Sequence, residues 1–319
     1  MANPTINIGI FQYPGAMQSA VQGFREMFLL ANNICEQQAL QTRFSVKLYD
    51  IAAVRQSLPD TKAETKSPLL QVILIPPNIE GEYYLSPDPQ LKSWILAHHA
   101  RGTVVCSACS GAFILASTGL LQNRQATTHW KLAPRFALQY PEVKLEIDKI
   151  LVNDTDIITA AGLMSWVDLG LELVAQFTST EIMRSLGKTL IVDTGLREQR
   201  YYQSFHPKLD HGDKTILKIQ HYMQEHYIHP ISVTKLTTLS LLTERTFLRR
   251  FFKATGIRPA QYLQRLRIQK ACDLIEAGNE TIESISFQVG YEDTSAFRKT
   301  FSKIIGLTPR EFRGRFSSG

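Results

Sequence analysis

Disulfides cannot be what holds this chain together. Its 319 residues include only four cysteines, Cys35, Cys106, Cys109 and Cys272, so reduced thiols are the expected state. Those cysteines and the eight histidines nowhere take a zinc spacing, and no glycine-rich phosphate loop is present, so neither a metal nor a cofactor is expected. No stretch reaches the roughly 18 uninterrupted apolar residues of a membrane-spanning helix. The start, Met1-Ala2-Asn3-Pro4-Thr5, lacks the basic and apolar regions of a signal peptide. A cytoplasmic protein without a membrane partner is the expectation. The composition of a disordered chain is absent too: 44% of residues are hydrophobic and 20% charged, ordinary for a packed protein.

What the chain has is arranged unevenly. Residues 1–200 carry 17 Lys and Arg against 18 Asp and Glu, while residues 201–319 carry the other 18 against 11. The basic surplus therefore belongs to the last third, as in a neutral sensing domain joined to one that binds a polyanion. The first part alternates apolar runs with helical patterns. Ile6–Tyr13, Phe44–Ile51, Leu69–Ile75, Thr103–Ser107 and Asp156–Ala160 read as strands. Ala20–Gln37, Pro89–Arg101, Gly111–Leu121 and Met164–Leu186 read as helices, and His98-His99 as a surface pair. Runs such as Val72-Ile73-Leu74-Ile75 suit parallel strands covered on both faces, and the alternation predicts a doubly wound α/β domain over residues 5–190. A polar, glycine-containing linker over 191–212 and an all-α domain over 213–316 follow.

The all-α segment holds a repeat. Leu236–Gly256 reads as short helix, turn, longer helix N-capped by Thr243 and a closing glycine; Ile285–Gly306 repeats the scheme with Gly290 in the turn, and Pro259–Ala277 forms a helix between them. Phe247 and Phe251, like Phe297 and Phe301, are four residues apart and face inward. Arg245, Leu248, Arg249 and Phe252 in the first unit, and Thr294, Ser295, Arg298 and Lys299 in the second, face out. The run Thr243-x-Arg245-x-Phe247-x-Arg249-x-Phe251, then Gly256-x-x-Pro259-x-x-Tyr262-x-x-Arg265-Leu266-Arg267, resembles the AraC-type DNA-binding domain. Ile285-x-x-x-Val289-Gly290-Tyr291-x-Asp293-x-Ser295-x-Phe297-x-Lys299-x-Phe301 with Gly306-x-Thr308-Pro309-x-x-Phe312-Arg313 is similar to that family's C-terminal signature. Thr237 and Ser286 stand where the family often has alanine, and Lys299 where arginine is common. Two recognition helices joined by one connecting helix can enter successive major grooves about 34 Å apart. Arg245, Leu248, Arg249, Thr294, Ser295, Arg298 and Lys299 are the expected DNA-binding residues, with Arg245 and Arg249 the leading base readers.

In the first part, Val104-Val105-Cys106-Ser107-Ala108-Cys109-Ser110-Gly111 leads from a strand into a helix, with Cys109 at the elbow. A helix N-terminus there is expected to lower the thiol's pKa and make it reactive. This stretch, with Thr127-Thr128-His129-Trp130, Thr159-Ala160-Ala161-Gly162 and Trp166-Val167-Asp168-Leu169, resembles the ThiJ/PfpI domain of the class I glutamine amidotransferase-like, flavodoxin-like fold. The resemblance implies a pocket at the strand C-termini around Pro14, Asn78, Cys109 and His129, taking a small nitrogenous effector such as an amino acid or quaternary amine. Relatives use an elbow cysteine and a histidine as catalytic groups, and Cys109 and His129 stand there as vestigial candidates. Gly15–Gln22 supplies no carboxylate, and Pro77-Asn78, after Pro76, stands where relatives have a Gly-Gly that shapes an oxyanion site. Catalysis is therefore not expected. The alternative reading is a hydrolase or amidase with nucleophile Cys109 and an accessory DNA-binding domain; a third, from Cys106-x-x-Cys109, is a thiol redox regulator, against which Cys106 reads as a buried strand residue. A ligand-responsive transcriptional regulator is the expected function, and double-stranded DNA, a small-molecule effector, RNA polymerase and a second copy of the chain are the expected partners.

Overall fold

Five apolar runs form one parallel sheet in the computed structural model, which describes residues 5–57, 69–195, 197–278 and 280–317. The chain divides into two compact units, Met1–Gln199 and Arg200–Gly319, so that the division falls inside the stretch 191–212. In the first unit the order is β1 (Thr5–Phe11), α1 (Gln18–Gln37), β2 (Arg43–Tyr49), α2 (Ile51–Ser57), β3 (Val72–Ile75), α3 (Pro89–His99), β4 (Val104–Ala108) and α4 (Gly111–Ala116). There follow β5 (Gln125–Ala126), α5 (Ala133–Gln139), β6 (Lys144–Leu145), β7 (Leu151–Asp154), β8 (Ile157–Ala160), α6 (Trp166–Phe177) and α7 (Thr180–Leu190).

The main sheet runs β2-β1-β3-β4-β8-β7, with β5 and β6 a separate small pair. Ile8 is in register with both Val46 and Val72, and Cys106 with both Leu74 and Ile158. Among the described strands of this sheet, only β7 is antiparallel to its neighbour. Strands covered on both faces must be apolar throughout, and β3 and β8 are buried at every residue. The order of the parallel strands reverses between β1 and β3, and the crevice outside the strand ends at such a point is where this topology places a ligand.

Two expectations need correction. The pattern over Met164–Leu186 is two helices, because the Ser179 hydroxyl accepts the Ile182 N–H and starts α7 afresh. His98 is buried, its ring edge-on to Trp94 with centroids 4.8 Å apart, while His99 Nε2 is 2.6 Å from an Asp156 carboxylate oxygen. At the sheet edge, Asn32 from α1 donates to the Phe44 carbonyl at 2.8 Å and accepts the Phe44 N–H at 2.7 Å, which uses up outward-facing backbone groups of β2.

The second unit is helical: α8 (Lys214–Glu225), α9 (Val233–Ser240), α10 (Glu244–Thr255), α11 (Pro259–Ala277), α12 (Ile282–Gln288), α13 (Thr294–Ile305) and α14 (Pro309–Phe316). It has two hydrophobic cores. Phe247 and Phe251 of α10 pack with Ile216, Met223, Leu236, Tyr262 and Leu266. Phe297 and Phe301 of α13 pack with Ile268, Cys272, Ile275, Ile285 and Phe312. The helix α11 serves both, its first half one core and its second half the other. Thr243 precedes α10 at the N-cap position, but its hydroxyl donates to the Thr246 hydroxyl rather than capping the helix backbone. Among the described residues no helix is long and apolar enough to cross a membrane.

Candidate ligand pocket and nucleic-acid interface

Between β4 and α4 the chain turns through Cys109, which adopts φ +55°. A left-handed residue that is not glycine is held there by its surroundings. The Cys109 N–H donates to the Ala160 carbonyl at 2.7 Å, and its carbonyl accepts the Thr128 hydroxyl at 2.8 Å. Gly111 allows α4 to start against the end of β3, since a side chain there would place its Cβ 2.7 Å from the Ile75 carbonyl oxygen. The loops after β1 and β3 close over the turn: Met17 N–H donates to the Pro77 carbonyl, Ile79 N–H to the Gly15 carbonyl, and Asn78 N–H to the Ser110 hydroxyl at 2.7 Å. The Tyr13 hydroxyl donates to the Pro76 carbonyl at 2.7 Å, and its ring clusters with those of Phe11 and Tyr83.

This enclosure reverses the expectation for the thiol. Cys109 is 3% exposed, and burial pushes its pKa up to about 11 against the opposing N–H groups of Ser110 and Gly162. With only six residues, α4 offers a weak dipole, and desolvation of a thiolate outweighs it. Cys106 is fully buried on β4, and burial raises its thiol still further. All four cysteines are free.

His129 is half-buried, stacked beside Trp130, and its Nδ1 accepts the Lys131 N–H at 3.0 Å. Burial, and then the Lys131 charge, lower its pKa. A neutral imidazole accepting at Nδ1 carries its proton on Nε2, so the nitrogen left to face a partner is a donor and not a base. Among the described residues no hydrogen bond joins His129 to Cys109. The loop is instead locked by Gln199, which accepts the Trp130 N–H at 2.7 Å and donates to the Thr128 and Ile147 carbonyls. Gln199 lies in the stretch read as linker, and nothing in its sequence context marks it. Of the four expected pocket residues, Asn78 and Cys109 are brought together through Ser110, Pro14 lies exposed on the loop beside them, and His129 follows the Thr128 that holds Cys109. Asn78 Nδ2 donates to the Glu80 and Gly81 carbonyls, while its Oδ1 is enclosed without a donor. Tyr13 and Ser110 were missed; only their proximity to the loop and elbow could have pointed to them.

In the second unit, Arg245 and Arg249 on α10 and Ser295, Arg298 and Lys299 on α13 are exposed. Leu248 is half-buried against the first core, and the Thr294 hydroxyl lies 3.1 Å from that of Ser286, so these two also pack. The start of α13 is capped by Asp293, which accepts the N–H groups of Ser295 and Ala296 and whose carboxyl is held below the usual range by those bonds.

Two family models match this chain: the DJ-1/PfpI family over residues 54–176 and a helix-turn-helix domain over residues 238–315. The chain thus joins a DJ-1/PfpI-type domain to an AraC-type helix-turn-helix domain, the architecture of a DNA-binding regulator. Among its relatives are two HTH-type transcriptional regulators of Pseudomonas aeruginosa, CdhR and ArgR. CdhR is 23% identical over 227 residues, 70% of this chain and 67% of that protein; ArgR is 25% identical over 227 residues, 68% of this chain and 66% of that protein. The matches thus span about two thirds of those regulators' own length. Among solved structures, Drosophila melanogaster DJ-1beta is 15% identical with a TM-score of 0.46, covering 59% of this chain and 99% of its own. The DJ-1/PfpI match includes β3, the elbow and His129, and the helix-turn-helix match includes α10 and α13.

Proposed function

We propose that this regulator senses a small nitrogenous metabolite beside the Cys109 elbow and answers by changing how α10 and α13 bind duplex DNA. The observation that carries the reading is the enclosure of the elbow. The Cys109 N–H is bonded to Ala160 and the Asn78 N–H to Ser110, while the Ser110 and Gly162 N–H groups oppose the rise of the Cys109 pKa. A catalytic elbow needs donors left over for a developing oxyanion and a base able to take the thiol's proton. Here the Cys109 and Asn78 N–H groups are already bonded, burial keeps the thiol protonated at neutral pH and His129 presents a donor. Recognition asks less. The Asn78 oxygen awaits an N–H, and the aromatic faces of Tyr13, Tyr83 and Trp130 suit an amine or its cation once the loops at 14–17 and 77–81 part.

On the DNA side, Arg245 and Arg249 are proposed to read base edges from α10. Arg298, Lys299 and Ser295, with Thr294 and Leu248 at the margins, serve the second groove and the flanking phosphates. RNA polymerase, a second copy of the chain and a cytoplasmic setting complete the proposal. The test is a thermal-shift screen of amino acids and quaternary amines on the full chain, followed by DNA binding with and without each hit. A ligand that binds the native state raises the midpoint by mass action, and it should change DNA affinity or occupancy. Purified protein that turns over glutamine, a peptide or a small aldehyde, and loses that turnover in Cys109→Ala, would establish the enzyme instead.

A further inference from the structure

Two reading heads on one duplex bind more tightly than either alone only if their separation and phase match the two grooves, since the second contact gains from a high effective concentration. In this unit the heads are built on separate cores. No buried residue is shared between them among the described residues, and Tyr227, in the connection between α8 and α9, is the side chain that touches both. A single helix passing between two cores leaves rotation of one head about the other weakly opposed, unless something near the joint fixes it.

Arg267 lies at that joint, on α11 between Leu266 of the first core and Ile268 of the second. Its Nε donates to the Tyr227 carbonyl at 2.7 Å and its Nη2 to the His229 carbonyl at 3.0 Å. The guanidinium also lies over the ring of Tyr291, 5.6 Å from the centroid. Tyr291 belongs to the turn between α12 and α13, so one side chain ties the connecting helix to a loop of the first head and to the turn of the second. The same loop and turn meet directly: Gly290 takes φ +83°, and a Cβ there would come 2.4 Å from the Ile228 carbonyl oxygen. Among the described residues no carboxylate pairs with Arg267, so its contacts are directional bonds to fixed carbonyls and a ring face, which hold an angle as well as a distance.

We propose that Arg267 is a positioning residue that sets the phase between the recognition helices α10 and α13, and so the spacing of the two DNA boxes this regulator accepts. The proposal rests on the DNA-reading role given above to those helices. Lysine can replace it only in part, because one ammonium cannot bond both carbonyls in the plane that also stacks on Tyr291.

The test uses the full chain and duplexes selected from a random-sequence library by the unaltered protein. Each selected two-box duplex is then made with either box scrambled and with one to three base pairs inserted between boxes. Arg267→Ala should lose about tenfold or more on the two-box duplex, keep its affinity for single-box duplexes and discriminate less against the insertions; Arg267→Lys should show a smaller loss of the same kind. A second readout needs no DNA: nitroxide labels at Lys253→Cys and Lys303→Cys should give one narrow distance distribution, broadened by Arg267→Ala and by Arg267→Lys. Equal losses on single-box and two-box duplexes would mean a general folding role, and an unchanged distance distribution would mean no positioning role; either overturns the proposal. If the unaltered protein selects no duplex, the DNA-reading role falls, and the spin-label result then reports the joint by itself.

Discussion

At the scale of single residues, burial governs the chemistry of both His98 and Cys109. His98 has its pKa lowered to about 4 by burial and then by Arg101. A histidine depressed in the native state binds its proton more readily once unfolded, so the protein should lose stability as pH falls from the ordinary histidine range near 6.5 towards 4. Thermal midpoints measured over that window should fall for the unaltered protein and fall less for His98→Leu. Cys109 gives the opposite sign. Its raised pKa favours the native state below the usual thiol value near 9, and that contribution disappears as pH rises from there through about 11. At neutral pH native Cys109 should react with iodoacetamide more slowly than a free thiol, and the rate should climb with pH. Rapid alkylation at pH 7 would contradict the enclosure. The elbow itself could be seen in the chain, because strand, small residues and glycine-led helix follow one another. Its pKa could not, because the residues that bury it come from the loops after β3 and β1, far earlier in the chain.

At the scale of elements, the parallel strands were legible because double coverage demands unbroken apolar runs. The antiparallel edge β7 was not: Leu151–Asp154 has one buried residue and resembles a loop. The split between α6 and α7 was missed because apolar residues continue on both sides of Thr178, and only the Ser179 cap marks the break. Asn32 shows the same limit. Its role as a clamp on Phe44 depends on α1 lying beside the edge strand, which periodicity does not reveal. Removing the clamp in Asn32→Ala should cost about 1 kcal/mol in denaturant unfolding, the usual worth of hydrogen bonds left unmade. It should also promote self-association through the freed edge of β2. In the helical unit, Gly290→Ala combines an unfavourable left-handed φ with a collision against the Ile228 carbonyl. It should cost more than about 1 kcal/mol, measurable as a lower denaturation midpoint.

For the molecule as a whole, charge is partitioned between the units, with the net positive surplus lying after residue 200. Affinity for duplex DNA should therefore fall steeply with salt, each phosphate neutralised adding roughly −0.9 to the slope of log K against log salt. Arg249→Ala should lose about 1 to 3 kcal/mol on a selected site and little on unrelated DNA if it pairs with a guanine edge; equal losses on both would make it a phosphate contact. The repeat in the last third announced both reading heads in advance, because Phe247, Phe251, Phe297 and Phe301 each fall where an inward ring must be. What the repeat concealed is that the heads keep separate interiors. One helix, α11, therefore belongs to two cooperative units at once. Its backbone amides need not exchange with solvent as a single population: those before Arg267 open with the first head and those after it with the second, so deuterium uptake along an unbroken helix should change step at that residue.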